Sequence, residues 1–127
     1  MSSGSERAQG SWTFLSNHAH VLICLARDPD ARLRDVAEHV GITERAAHRI
    51  VTELEDGGVI TRTRSGRRNH YEIDPKASMR HPMESNRTVG SLLAILLDPA
   101  EARRLGLRPA RRMTKSVAKS VAKSSAR

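Results

Sequence analysis

"VAEHVGITERAAHRI", residues 36–50, holds two short helical patterns joined by Gly41, Ile42 and Thr43. Gly41 predicts the end of the first pattern, because a glycine just past a helix takes the left-handed conformation without steric cost. Thr43 predicts the N-cap of the second, with Glu44 favoured in the first turn by the helix dipole. At about 100° per residue, Ala47, Ile50, Val51 and Leu54 gather on one side of that second helix. Arg45, His48, Arg49 and Thr52 gather on the other. One flank is suited to packing and the other to donating hydrogen bonds. Any surface helix turns polar residues outward, so the donor-rich flank acquires meaning only from its neighbours.

Upstream, Leu15, Ala19, Leu22 and Ala26, with Val21 and Leu25 beside them, predict an amphipathic helix over about 16–27. Pro29 ends it by disfavouring helical geometry at Asp28. A second helix is expected over about 32–39, with Leu33, Val36, Ala37 and Val40 on one face. The third runs from Thr43 to about Asp56 and stops at Gly57 and Gly58. "VITRTRSGRRNHYEI", residues 59–73, places two β-rich runs (59–64 and 69–73) around a Ser-Gly-Arg-Arg tip, a hairpin signal. After a connecting loop, a further helix is expected over about 84–97, ended by Asp98 and Pro99. The predicted fold class is mainly α with a small β-hairpin wing: a three-helix core, the wing, and an additional C-terminal helix.

The chain's 127 residues suffice for one domain with tails. The expected division is a polar, disordered 1–11, a folded 12–97, and a basic, low-complexity 98–127. The charge follows that division. Residues 1–97 carry 13 Lys and Arg against 12 Asp and Glu, whereas residues 98–127 carry nine against two. No apolar run approaches the roughly 18–20 residues that span a bilayer, so no membrane partner is expected. "MSSGSERAQGS" lacks the apolar stretch of a secretory signal. The single cysteine, Cys24, cannot form an internal disulfide and lies in an apolar run, which fits a reduced, cytoplasmic setting.

A short helix, a tight glycine-containing turn and a longer helix with a donor-rich face is the helix-turn-helix arrangement. In it the second helix enters the DNA major groove, and arginine suits that role because its fork can donate twice to guanine. From about Trp12 to Ile73 the chain resembles the winged helix-turn-helix of bacterial transcriptional regulators of the MarR-like and ArsR-like kind. The resemblance rests on "VAEHVGIT", the helix that follows, "LEDGGVI" and the basic hairpin. It implies a three-helix core with a two- or three-stranded wing, commonly dimeric on a palindromic site. The body is shorter than a typical MarR-like protein, which devotes longer terminal helices to dimerisation and an effector pocket. An ArsR-like metal sensor would need ligand clusters. Cys24 stands alone, and His18, His20, His39, His48, His70 and His81 have no recognised ligand spacing, so neither a metal nor another cofactor is expected.

The base-reading candidates are Thr43, Glu44, Arg45, His48, Arg49 and Thr52. Arg62, Arg64, Arg67 and Arg68 crowd the hairpin with no acid between Thr61 and His70, as expected of a wing that meets phosphates or the minor groove; solubilising an edge strand is the alternative. Tyr71 and Ile73 are expected to pack inward. In the tail, Arg111, Arg112, Lys115, Lys119, Lys123 and Arg127 form a run without acids, either a solvated end or an electrostatic arm on the DNA backbone. In "TVGSLLAILL", Val89, Leu92, Leu93 and Leu96 share a face; a core role against the first helix explains some of it, and with Trp12 it is expected to form a homodimer interface.

No nucleophile–base set, Gly-rich phosphate loop, HExxH or paired apolar carboxylates can be read, so no catalysis is expected. Three functions compete: a sequence-specific transcriptional regulator on double-stranded DNA, an architectural DNA-binding protein that draws on the tail, and a winged-helix module that binds another protein. Preference for one duplex over random DNA separates the first two. The third predicts that removing Arg45 changes no DNA affinity. The sequence does not reveal whether a small-molecule effector is sensed.

Overall fold

The computed structural model describes residues 12–108. Their order is α1 (Asn17–Arg27), α2 (Leu33–Val40), α3 (Glu44–Asp56), β1 (Ile60–Ser65), β2 (Arg68–Ile73), α4 (Val89–Leu96) and α5 (Pro99–Arg104). The expected segments 1–11 and most of 98–127 lie outside the described residues.

The stop and start signals act as their chemistry requires. Asp28, before Pro29, sits in extended geometry at φ −142° and ψ 92°. Gly41 takes φ 87° and donates its N–H to Ala37 O, closing α2. Thr43 Oγ1 accepts from the Ala46 N–H at 3.0 Å, which satisfies one of the orphan donors of α3.

Val21, Leu22 and Leu25 of α1, Val36 of α2, and Ile50, Val51 and Leu54 of α3 bury together beneath Val59, Ile60 and Tyr71. This aliphatic cluster supplies the folding free energy, at roughly 1.5–3 kcal/mol per fully buried large side chain. β1 and β2 pair antiparallel from Ile60↔Ile73 to Ser65↔Arg68, leaving a two-residue turn. Gly66 leads that turn at φ 64°, as a primed hairpin turn demands. Tyr71 is buried and Ile73 half-buried, both inward as expected. A third strand is reduced to one backbone bond, from the Tyr71 N–H to Pro29 O at 2.8 Å.

The C-terminal part differs from expectation at both ends. The helix expected over 84–97 begins at Val89, because Thr88 caps it through the Ser91 N–H at 3.1 Å. Residues 78–88 instead form a loop whose ends pair, with Ser78 opposite Thr88 and the Met79 N–H on Arg87 O. Gly90 is required where the backbone at Pro75, ahead of this loop, seats α4, since a Cβ there would stand 2.7 Å from Pro75 O. The boundary expected at 98 is also corrected. Asp98 and Glu101 cap one another reciprocally around Pro99, starting α5, and Ala102 is fully buried. Glu101 also lies 3.4 Å from Arg27, joining α5 to α1.

Candidate nucleic-acid interface

Hydrophobic burial sets the orientation of α3. Ala47, Ile50, Val51 and Leu54 are buried, so the remaining arc, with Thr43, Glu44, Arg45, His48, Arg49 and Thr52, faces outward and is exposed. Among the described residues no carboxylate lies within ion-pair distance of Arg45 or Arg49. His48 lies 3.7 Å from Glu44, one turn back on the same face. The Thr43 hydroxyl is committed as an acceptor to the helix cap.

The wing arginines divide into two kinds. Ile60, Arg62 and Arg64 share one hairpin face, as strand periodicity requires. Arg62 opposes Tyr71 in the ladder and donates to Glu55 Oε1 at 2.9 Å, so its charge is already matched at the C-terminal end of α3. Arg62, expected with the others to meet DNA, is thus engaged within the protein. Arg64, Arg67 and Arg68 are exposed and have no ion-pair partner among the described residues.

Two further contacts hold this surface in place. His18 Nε2 lies 2.6 Å from Glu53 Oε1, tying α1 to the outer edge of α3. His70 Nδ1 lies 2.8 Å from Asp30 Oδ1, tying the wing to the loop before α2. Glu53 is held below the ordinary carboxylate range, first by the hydrogen bond from His18 and further by the charges of His18 and Arg49, which outweigh its partial desolvation. The sequence conceals both contacts because their partners stand 35 and 40 positions apart.

The residues expected at a dimer interface also separate. Val89 and Leu93 are buried in the chain's own core, which corrects their place at an external surface. Leu92 and Leu96 are half-buried, and the exposed apolar surface nearby belongs to Ile95, at 70%. Trp12 is 68% exposed and packs edge to face with the still more exposed Phe14, with centroids 5.0 Å apart. Cys24 is half-buried, and burial pushes its thiol pKa up, as for a packing residue rather than a reactive one. Among the described residues no group of three or more His, Cys, Asp or Glu could hold a metal ion, and no helix is long and apolar enough to cross a membrane.

A three-helix core, a tight turn into an outward-facing third helix, and a flanking hairpin define a winged helix-turn-helix. Residues 17–61 match the family model described as winged helix-turn-helix DNA-binding. Among solved structures, the chain is similar to a MarR family protein of Mycobacterium tuberculosis crystallised with salicylic acid, at 18% identity and a TM-score of 0.41. That match covers 81% of this chain and 62% of the other, so the chain spans under two thirds of the solved protein. No curated protein matches the chain.

Proposed function

We propose that this protein is a sequence-specific transcriptional regulator that lays α3 in the major groove of double-stranded DNA. The observation that carries the reading is the division of α3 into a buried aliphatic flank and an exposed flank on which Arg45 and Arg49 have no carboxylate partner among the described residues. Two free guanidinium forks on one helix face suit bidentate donation to guanine O6 and N7, worth about 1–3 kcal/mol of discrimination each. His48 and Thr52 extend the same strip, and Glu44 at its start can accept from a cytosine amine. Arg64, Arg67 and Arg68 meet phosphates or the minor groove beside it. The role is non-catalytic, and the setting is the cytoplasm.

The protein works as a homodimer whose contact is made by Ile95, Leu92 and Leu96 together with Trp12. What supports this is exposed apolar surface at Ile95 and Trp12 that nothing among the described residues covers. Two copies would place their α3 helices about one helical turn of DNA apart, roughly 34 Å. The basic tail from Arg111 to Arg127 adds sequence-blind affinity.

Selection of bound fragments from a random duplex pool tests the reading. A regulator enriches one motif and prefers it to unselected DNA by about a thousandfold or more. An architectural protein, which the nine basic residues after position 97 would favour, enriches none.

A further inference from the structure

A cleft of about 430 Å³ opens between the wing tip and the start of α2. Its walls include Arg32 and Arg34 on one side, with Asp30 beside them, Arg67 and Arg68 on the other, and Glu44 and His48 of α3. Arg32 and Arg34 attract no attention in the sequence, where Asp30 and Asp35 flank them and the local charge sums to zero. Folding changes that balance by bringing Arg67 and Arg68 of the wing to the same cleft. The two carboxylates beside it have neighbours of their own: Asp30 lies 2.8 Å from His70, and Glu44 lies 3.7 Å from His48. All four arginines remain exposed, without an ion-pair partner among the described residues.

We infer that this cleft is a seat for the DNA phosphate backbone, with Arg32 and Arg34 as backbone-binding residues that act together with Arg67 and Arg68. The inference rests on the proposal that α3 reads DNA and adds where the duplex strand beside it is gripped. Four guanidiniums from two sides of the cleft, against the carboxylates of Asp30 and Glu44, leave its lining net positive. Guanidinium is the side chain whose planar fork matches a phosphate's oxygens. Because the cleft is also lined by Glu44 and His48, a strand seated in it runs directly past the base-reading strip. The Asp30–His70 contact and the Tyr71–Pro29 backbone bond, both 2.8 Å, fix the distance between the two walls. The seat is therefore preformed rather than assembled on binding. A phosphate contact carries no sequence information, so these residues set register and affinity and leave preference to α3.

The test uses the full chain and a 30-bp duplex recovered by it from a random pool, with affinity measured over a range of salt. R32A/R34A should reduce the magnitude of the slope of log K against log salt by about 1.8, at about 0.9 for each phosphate no longer neutralised. Its preference for the recovered duplex over the unselected pool should stay as in wild type. R32K/R34K should restore most of the slope, which a merely misfolded variant would not do. An R32A/R34A slope equal to wild type, on a wild-type protein that binds DNA, overturns the inference and leaves the α3 reading intact. Failure of the wild-type chain to bind any duplex overturns both. A reduced slope in R32A/R34A that R32K/R34K does not restore also overturns it.

Discussion

Arg62 Nη2 donates to Glu55 Oε1 at 2.9 Å, so the first arginine of the wing is fastened to the last turn of the helix that carries Arg45 and Arg49. Both side chains are about one-third exposed, which makes the pair a modest stabiliser and chiefly an orienting contact. R62A should cost no more than about 1 kcal/mol in urea denaturation. It should leave the salt slope of DNA binding nearly unchanged, because its charge is already matched. R64A, by contrast, should lower the slope's magnitude by about 0.9. Equal reductions from the two variants would contradict the division of the wing arginines.

Acid should loosen the link between α1 and α3. Glu53 has a folded-state pKa below its unfolded value, chiefly through the His18 hydrogen bond. A depressed carboxylate contributes stability that is present above its unfolded pKa and is lost as pH falls through the lowered folded one. Urea midpoints taken from neutral pH down through and below the carboxylate range should fall for wild type. E53Q should show a shallower acid decline. Parallel declines would remove Glu53 from the account.

Packing under α3 should be unforgiving. Leu25 and Val51 are fully buried in the shared cluster, and Leu25→Ala should cost about 2–5 kcal/mol, the range for an aliphatic core truncation. A chemical-denaturation midpoint close to that of wild type would contradict the assigned core.

Much of this core is legible in the sequence because it is made of local signals. Gly41, Thr43 and the period of Ala47, Ile50, Val51 and Leu54 each act within one or two helical turns, and the structure follows them. The hairpin is equally open to reading, since Gly66 and the alternation through Tyr71 are also local. The start of α4 is harder to place because residues 84–88 are polar and hold no Gly or Pro to mark a stop ahead of the Thr88 cap, yet they belong to a loop secured by backbone pairing. The reciprocal capping of Asp98 and Glu101 around Pro99 is a local signal for α5 that the expected boundary at 98 passes over. The contacts that occupy Arg62 and Asp30, and the burial of Val89 and Leu93, are tertiary facts. No spacing along the chain announces them.

The exposed apolar surface at Ile95 predicts self-association. Sedimentation should give a dimer for the full chain at tens of micromolar, and Ile95→Asp should give a monomer with an unchanged circular dichroism spectrum. A monomeric wild type at that concentration would contradict the proposed interface.

Removal of residues 111–127 should reduce the salt slope by about 0.9 for each backbone phosphate the tail neutralises. The motif enriched from random DNA should remain the same. An identical slope with and without these residues would take the tail out of DNA binding.

The outward flank of α3 is what distinguishes one base sequence from another in the proposed function. Competition binding of wild type and R45A/R49A, each against the recovered duplex and unselected DNA, measures this directly. Wild type should show about a thousandfold preference or more, and the double variant should lose at least ~30-fold of it while staying folded, at roughly 1–3 kcal/mol for each bidentate arginine–guanine pair removed. A preference left intact in R45A/R49A would contradict the account.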